Sequence, residues 1–442
     1  MEVYADLYRG IRDRADTVTW RTLIVTIKKL LGVKNTDYKK LVAALVKRTY
    51  LEKLTPEIVY ALGIKEKSKS YENLDLLLVN GRHYPEPLIW NLADYAKGRG
   101  KKVAVVNPVG HYNDGQTRVV GPMVLFRKVK KLIILASTQT KFGGSISVLS
   151  NVLRLIRNPK LAPKIGSVDV VIPMYGGSRG HRINQAEEVG FEVMEAAFNA
   201  KLLSLPAKDL LLKLDKETGK TPKIRFLSVD IHNSEYPAKV FKEEGFEFIS
   251  IDSTPEMTKA AAEIIKAKKL GSAIIRVVAC DKGAVPRSES LAKGLLNCLG
   301  TGKKLEIVYF DKKRIQAGMV ASLKLERIEK WTKGKARLEK QEIKIPTRPV
   351  VQKTVLVYMD DMIDTGGTAE KDIRFLETIY PNALLKIFIA THPVLSKGLG
   401  ALKRVGAVVY LLGNTLNVPG LNKIKGVQVV DLAPAIYRQA VV

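Results

Sequence analysis

A chain of 442 residues with 46% hydrophobic residues has material for two or three packed domains. Its formal net charge is +29, but the basic excess in 1–70 and 311–349 is not interleaved with aromatic residues, so nucleic-acid binding is not the expected main function. No apolar run approaches the ~20 residues that span a bilayer. The two cysteines, Cys280 and Cys298, have no metal-type spacing and fit a reducing cytoplasm.

The opening "MEVYADLYRG" lacks the basic-then-apolar pattern of a secretory signal, and a cytoplasmic protein is expected. Residues 1–72 place apolar residues at helical spacing between lysines, as in "TLIVTIKKLLGV" and "YKKLVAALVKRTYLEKL". Thr55 and Pro56 form the N-cap and first position of a further short helix. This segment carries no candidate chemistry and is expected to be a helical extension used for assembly, or a plain stabilising cap.

From Leu74 strands alternate with helices. Twelve strand candidates follow: "LDLLLV", "KVAVV", "KLIILAS", "VDVVIPM", "IRFLSVD", "FEFISI", "AIIRVVA", "LEIVYF", "TVLVYMD", "LKIFIAT", "AVVYLLG" and "VQVVDL". With helical stretches such as "TPEMTKAAAEIIKA" between them, the pattern predicts α/β architecture with mostly parallel sheets in two similar domains. In such sheets ligands gather at the carboxyl ends of strands, and the polar clusters of this sequence lie there.

Five clusters precede or flank the acidic one. "GHYNDGQTRV" is either a hairpin turn or a base-binding loop in which Tyr112 stacks and Gln116 reads a polar edge. "VIPMYGGSRGHR" sets glycines beside Arg179, His181 and Arg182, either a phosphate-binding combination or a plain basic loop. In "FLSVDIHNSEY", Asp230 and His232 follow a strand at alternating positions, so they are expected to point the same way, with His232 either a structural histidine or, as its strand-end position favours, a metal or phosphate contact. Asp281 in "CDKGAVPRSESLAKGL" closes a strand, either to hold Mg²⁺ or to cap a turn. "VYFDKKR" brings Lys312, Lys313 and Arg314 into a long lysine-rich segment, either a solvated face or a cationic lid.

The sixth is "VLVYMDDMIDTGGT". Asp360, Asp361 and Asp364 repel one another unless a cation or hydrogen bonds compensate. A buried-strand pattern precedes them and a helical one follows Gly366 and Gly367. Strand, glycine turn and helix aim amides and a helix dipole at an anion. The alternative is an acidic turn capped by Thr365 or Thr368. Carboxylates beside a phosphate cradle point to a phosphorylated sugar, with Mg²⁺ or sugar hydroxyls on the acids.

"DDMIDTGGT" resembles the phosphoribosyl-diphosphate-binding loop of type I phosphoribosyltransferases. With "LLLVNGRHYPEPLIWNLADYA", "VDIHNSEY", "CDKGAVPRSESLAKGL", "DKKR", "THPVLS" and "VVDLAPAIYRQ", it falls in the order seen in ribose-phosphate pyrophosphokinases. The resemblance implies two phosphoribosyltransferase-like domains, 73–250 and 251–430, with 431–442 returning to the first. It implies ribose 5-phosphate on Asp360, Asp361, Asp364, Thr365, Gly366, Gly367 and Thr368. It implies ATP on Tyr112, Asp114, Gln116, Arg179, His181 and His232, Mg²⁺ on His232, Asp281, Asp360 and Asp361, and a catalytic lid bearing Lys312 and Arg314. Since the family's adenine loop comes from a neighbouring subunit, a dimer-based homo-oligomer is also implied, up to a hexamer or filament.

The chain departs from the pattern in three places. Arg179–Gly180–His181 stands where arginine, glutamine and aspartate are usual; "DKGA" replaces a double glycine; and the stretch between Arg314 and Thr354 is longer and more basic. The implied activity is conversion of ATP and ribose 5-phosphate to phosphoribosyl diphosphate and AMP for nucleotide biosynthesis. A phosphoribosyltransferase and a catalytically weak assembly partner are the alternatives.

Overall fold

Leu74–Asn80, "LDLLLVN", buries every residue but one, the profile of a strand covered on both faces. Our computed structural model describes residues 73–81, 87–106, 109–111, 117–119, 128–138, 146–155, 165–178, 195–218, 222–270, 272–300, 304–316, 319–333 and 338–441. The chain divides into two units, Met1–Lys69 and Ser70–Val442. The helical extension expected over 1–72 lies outside the described residues.

The N-terminal half runs β1 (Leu74–Asn80), α1 (Pro87–Lys97), β2 (Val103–Val106), β3 (Val109–His111), β4 (Thr117–Val119), β5 (Val129–Leu135), α2 (Ile146–Leu155), β6 (Ile165–Ile172), α3 (Glu195–Thr218), β7 (Lys223–Val229), α4 (Glu235–Glu243) and β8 (Glu247–Ile251). Six of these strands form one sheet in the order β2-β1-β5-β6-β7-β8, parallel at every pairing. β3 and β4 pair antiparallel on either side of the "NDG" stretch.

The C-terminal half runs α5 (Thr254–Ala267), β9 (Ile274–Ala279), α6 (Val285–Leu299), β10 (Lys304–Gln316), β11 (Met319–Lys333), β12 (Leu338–Ile343), β13 (Thr354–Ile363), α7 (Gly367–Ile379), β14 (Ala383–Pro393), α8 (Gly400–Val405), β15 (Val409–Gly413), β16 (Val427–Val430) and α9 (Ala433–Ala440). Its sheet has eight strands, ordered β12-β11-β10-β9-β13-β14-β15-β16. Five pairings are parallel; β10–β11 and β11–β12 are antiparallel.

All twelve candidate strands are present. Beyond "DKKR" the lysine-rich segment adds two further strands, β11 and β12, to the sheet edge. Leu325, Ile328 and Trp331 anchor β11, each under a tenth exposed.

One apolar layer joins the halves. It takes one face of each sheet together with α1, α5, α6 and α9. The outer face of the first sheet packs on α2, α3 and α4, and that of the second on α7 and α8. The carboxyl ends of both sheets meet over Met174, Met362, Val394 and Leu416. α9 lies on α1, where Tyr95 and Tyr437 meet edge to face at 5.3 Å. Among the described residues no helix is long and apolar enough to cross a membrane.

Candidate functional site

β13 is buried at every residue but the half-buried Asp360 and carries Asp360 and Asp361 at its carboxyl end, with Asp364 just beyond it. Gly366 then turns left-handed, with φ 76°, and α7 begins at Gly367. A Cβ at Gly366 would stand 2.9 Å from the Ala401 carbonyl oxygen and 2.8 Å from Val405, so both the dihedral and the space require glycine. No side chain caps α7. The threonine cap offered as the plain reading of this turn is therefore not formed, and the first amides of α7 take no side-chain acceptor. Such amides, at the positive end of the helix dipole, are anion donors. The Asp364 Oδ1 accepts from the Ser396 N–H at 2.8 Å, tying the turn to the end of β14.

Asp361 is the pivot. It is 4% exposed. Its Oδ1 accepts from the Met362 N–H at 2.9 Å, and its Oδ2 from His232 Nδ1 at 2.6 Å. Burial opposes its charge, but hydrogen bonds with His232 and Asp360, then the charges of His232 and Arg287, outweigh burial and hold its carboxyl below the usual range. Asp360 moves the other way. Burial, the charge of Asp361 and a hydrogen bond with it push its carboxyl well up; Arg287 opposes and Asp281 adds. Two adjacent carboxyls thus divide their labour, one ionised and one inclined to keep its proton.

Asp281 accepts from the Ala284 N–H at 3.0 Å and caps the short 3-10 turn Lys282–Ala284, so the capping role is real. It also acts electrostatically on Asp360. The expectation for Asp230 and His232 needs correction. β7 ends at Val229 and Asp230 has φ 36°, so strand alternation does not govern them. Both still reach the C-terminal sheet: His232 meets Asp361, and the Asp230 Oδ2 accepts from Thr391 Oγ1 at 2.6 Å.

Lys312 and Arg314 lie in β10, opposite Leu323 and Val320 of β11; their side chains lie outside the described residues. β10 pairs with β9 only as far as Tyr309 opposite Ala279, and β9 pairs with β13 as far as Val278 opposite Tyr358. The rest of β10 therefore runs on past the carboxyl edge, one strand from Asp281, which follows β9, and two strands or about 10 Å from Asp360 in β13. Tyr112, Asp114, Gln116, Arg179 and His181 lie outside the described residues.

Sequence reasoning assigned no role to three groups. Arg287 sits in the first turn of α6 and acts on both carboxyls. Thr391 and His392 end β14, the strand-end rule that selected the other sites. His392 is 1% exposed; burial pushes its imidazole below the ordinary value, with Asp230 and Asp361 opposing.

Paired carboxylates are the hard oxygen donors Mg²⁺ takes, one or two at a time, with water and substrate phosphate completing its shell. Among the described residues no three His, Cys, Asp or Glu side chains group as a metal cage. The carboxylates of Asp360 and Asp361 are donors of the type such a cation takes, with its remaining positions open to other oxygen ligands. A cleft of about 360 Å³ lined by Arg276, Glu306 and Tyr380 lies at the opposite end of this sheet, away from this chemistry.

Residues 250–398 match the model of the phosphoribosyl transferase domain. Among solved structures, the chain resembles phosphoribosylpyrophosphate synthetase from Mycobacterium smegmatis, at 19% identity and a TM-score of 0.56, over 83% of this chain and 97% of that one. The chain thus has a phosphoribosylpyrophosphate synthetase-like phosphoribosyltransferase fold. A carbohydrate transporter from Acidothermus cellulolyticus aligns at 10% identity over 77% of this chain and 74% of its own, with a TM-score of 0.23. An ABC sugar transporter from Legionella pneumophila aligns at 10% identity over 82% of this chain and 90% of its own, with a TM-score of 0.25. No curated protein matches the sequence.

Proposed function

We propose that this protein is a ribose-phosphate diphosphokinase, transferring the β,γ-diphosphoryl group of ATP to ribose 5-phosphate and releasing AMP. The observation that carries the reading is the uncapped, glycine-turned start of α7 directly after a carboxyl pair, one member of which is bound to His232 of the other sheet. A phosphoribosyltransferase needs the sugar phosphate turn and a site for a free base; a diphosphokinase needs that turn beside a site for a nucleoside triphosphate, and His232 reaching the carboxyl pair supports the second.

In this reading the α7 amides, Thr365 and Thr368 hold the 5-phosphate, and Asp360, Asp361 and Asp364 orient the ribose hydroxyls. The anomeric oxygen attacks the β-phosphorus in line, and the bond to the α-phosphate oxygen breaks. Positioning and charge stabilisation do most of the work in such transfers. Asp281, Asp360, Asp361 and His232 would hold Mg²⁺, which when bound neutralises the triphosphate. Lys312 and Arg314 stabilise charge on the phosphate oxygens. Tyr112, Asp114 and Gln116, in a neighbouring subunit of a homo-oligomer, seat the adenine, with Arg179 and His181 on the phosphates.

The test is AMP formation from Mg²⁺, ATP and ribose 5-phosphate by the purified chain. Lys312→Ala should lower turnover a hundredfold or more, about 3–4 kcal/mol by the scale of single oxyanion donors. Calorimetry should show ribose 5-phosphate still binding. Near-wild-type turnover removes the lid assignment. The matching phosphoribosyl transferase model favours a second reading, marked by consumption of phosphoribosyl diphosphate with a free base and no AMP from ATP.

A further inference from the structure

Asp230 is a buried carboxylate with an unusual backbone and unusual company. Its φ of 36° is left-handed for a residue that is not glycine, and it is 9% exposed. It accepts from the Ser253 N–H at 3.2 Å, from Ser253 Oγ in a short contact, and from Thr391 Oγ1 at 2.6 Å. Among the described residues no cation pairs with it. A buried carboxylate served only by neutral donors is costly to keep, and backbone strain persists only where its surroundings over-determine it.

The donors have left other employment to serve it. Ser253 stands at the N-cap of α5 yet makes no side-chain cap bond there, the usual task of such a serine. Its hydroxyl instead lies 3.0 Å from that of Thr391, and both residues are fully buried. Thr391 belongs to the opposite sheet. Its neighbour His392 lies with Nε2 3.4 Å from the Asp230 carbonyl oxygen and Nδ1 2.9 Å from Thr415 Oγ1. Thr415 in turn donates to the Thr391 carbonyl at 3.0 Å, and its own carbonyl accepts from Ser137 of the first sheet at 2.9 Å. Two residues beyond Asp230, His232 reaches Asp361 at 2.6 Å. The loop 230–232 is thus fastened at both ends to the C-terminal sheet, to the end of β14 and to the end of β13.

We propose that Asp230 is a positioning residue: Thr391 and Ser253 lock its carboxylate, and the lock sets the loop on which His232 meets Asp361. The nucleotide side and the sugar phosphate side are then one pre-assembled unit, since the segment that supplies Thr391 also holds Asp364 through the Ser396 N–H. The role in turnover rests on the diphosphokinase reading; the role in placing His232 does not.

The experiment separates the two. In protein labelled with [¹⁵N]histidine, the His232 ring, assigned with His232→Asn, should show a hydrogen-bonded Nδ1 proton. Thr391→Val should abolish that signal and lower kcat for AMP formation about tenfold or more, with the KM for ribose 5-phosphate within about twofold. Thr391→Ser should restore both. Ser253→Ala, which leaves the amide donor in place, gives a second reading if Thr391→Val does not fold, and should weaken the same signal. An unchanged His232 signal in the folded variants overturns the proposal, whatever the activity. Loss of the signal in a wild-type background that makes no AMP retires the diphosphokinase reading and leaves the positioning role standing.

Discussion

Each sheet buries an ion pair between directly paired parallel strands, and the two are built with opposite polarity. In the first, Asp169 of β6 faces Arg225 of β7 across the register; the carboxylate is 1% exposed and also takes Lys131 at 3.2 Å. In the second, Arg276 of β9 faces Glu306 of β10, and the guanidinium is 3% exposed, held at 2.8 Å by that one carboxylate. Thr354 and the Tyr380 ring complete its shell. The first pair has a spare cation, and its cations also grip the last carbonyls of α9: Lys131 on Ala440 at 2.7 Å and Arg225 on Gln439 at 3.2 Å. The second has no spare anion among its described contacts. Structural charge in this fold thus stays within the strands, while Asp360, Asp361 and Asp364 collect at and just beyond the carboxyl end of β13. The difference in redundancy teaches how each half should respond to damage.

Glu306→Ala should be the most destructive change to the fold. It strands a buried guanidinium, and such losses cost about 3–5 kcal/mol. Chemical denaturation should show it, and Glu306→Gln should recover part by keeping an acceptor. Arg225→Ala should cost less, about 1–2 kcal/mol, because Lys131 still serves Asp169. The accompanying sign would be faster amide exchange in α9, whose Gln439 carbonyl loses its donor. Equal costs for the two substitutions would break the argument from redundancy.

The smallest effect belongs to the surface of the first half. Glu244 pairs with Lys201 at 2.6 Å and with Lys208, and hydrogen bonds from those two lysines hold its carboxyl below the ordinary value. A depressed native carboxyl stabilises above the unfolded value and loses that contribution as pH falls through the native one. The stability difference between wild type and Glu244→Gln should therefore be constant well above about pH 4.3 and vanish in stronger acid. Added salt should shrink it at neutral pH. A difference that grows on acidification contradicts the pairing.

The inner strands were legible because parallel strands covered on both faces read as continuous apolar runs, whereas the edge strands β8 and β16 are partly exposed and show instead as short apolar-rich segments. β11 was not, for a physical reason. Its register slips between Tyr309 and Phe310, where Arg327 and then Leu325 are the successive partners. That bulge at Glu326 lets Leu325 and Ile328 share one apolar cluster while Trp331 joins another, so these three anchors fall three residues apart rather than at period two. Among the glutamates and lysines of that stretch the three apolar anchors look isolated. The acidic turn was legible as a chemical cluster, and the glycine requirement at Gly366 follows from its neighbours in α8. What pairs with what was not legible. His232 and Asp361 are 129 residues apart, and the Arg276–Glu306 partnership exists only through a register that no local pattern records. Arg287 was hidden for the same reason, as one more basic residue in a basic chain until the fold set it beside two carboxyls.

The most direct test of the central claim follows phosphorus. With Mg²⁺, ATP and ribose 5-phosphate, ³¹P NMR of the reaction should show the β- and γ-phosphorus signals of ATP converting together to a diphosphate on the sugar's anomeric carbon, with AMP appearing in equal amount. Conversion of ATP to ADP with a single phosphoryl group moved, or ATP left intact beside ribose 5-phosphate, would contradict it.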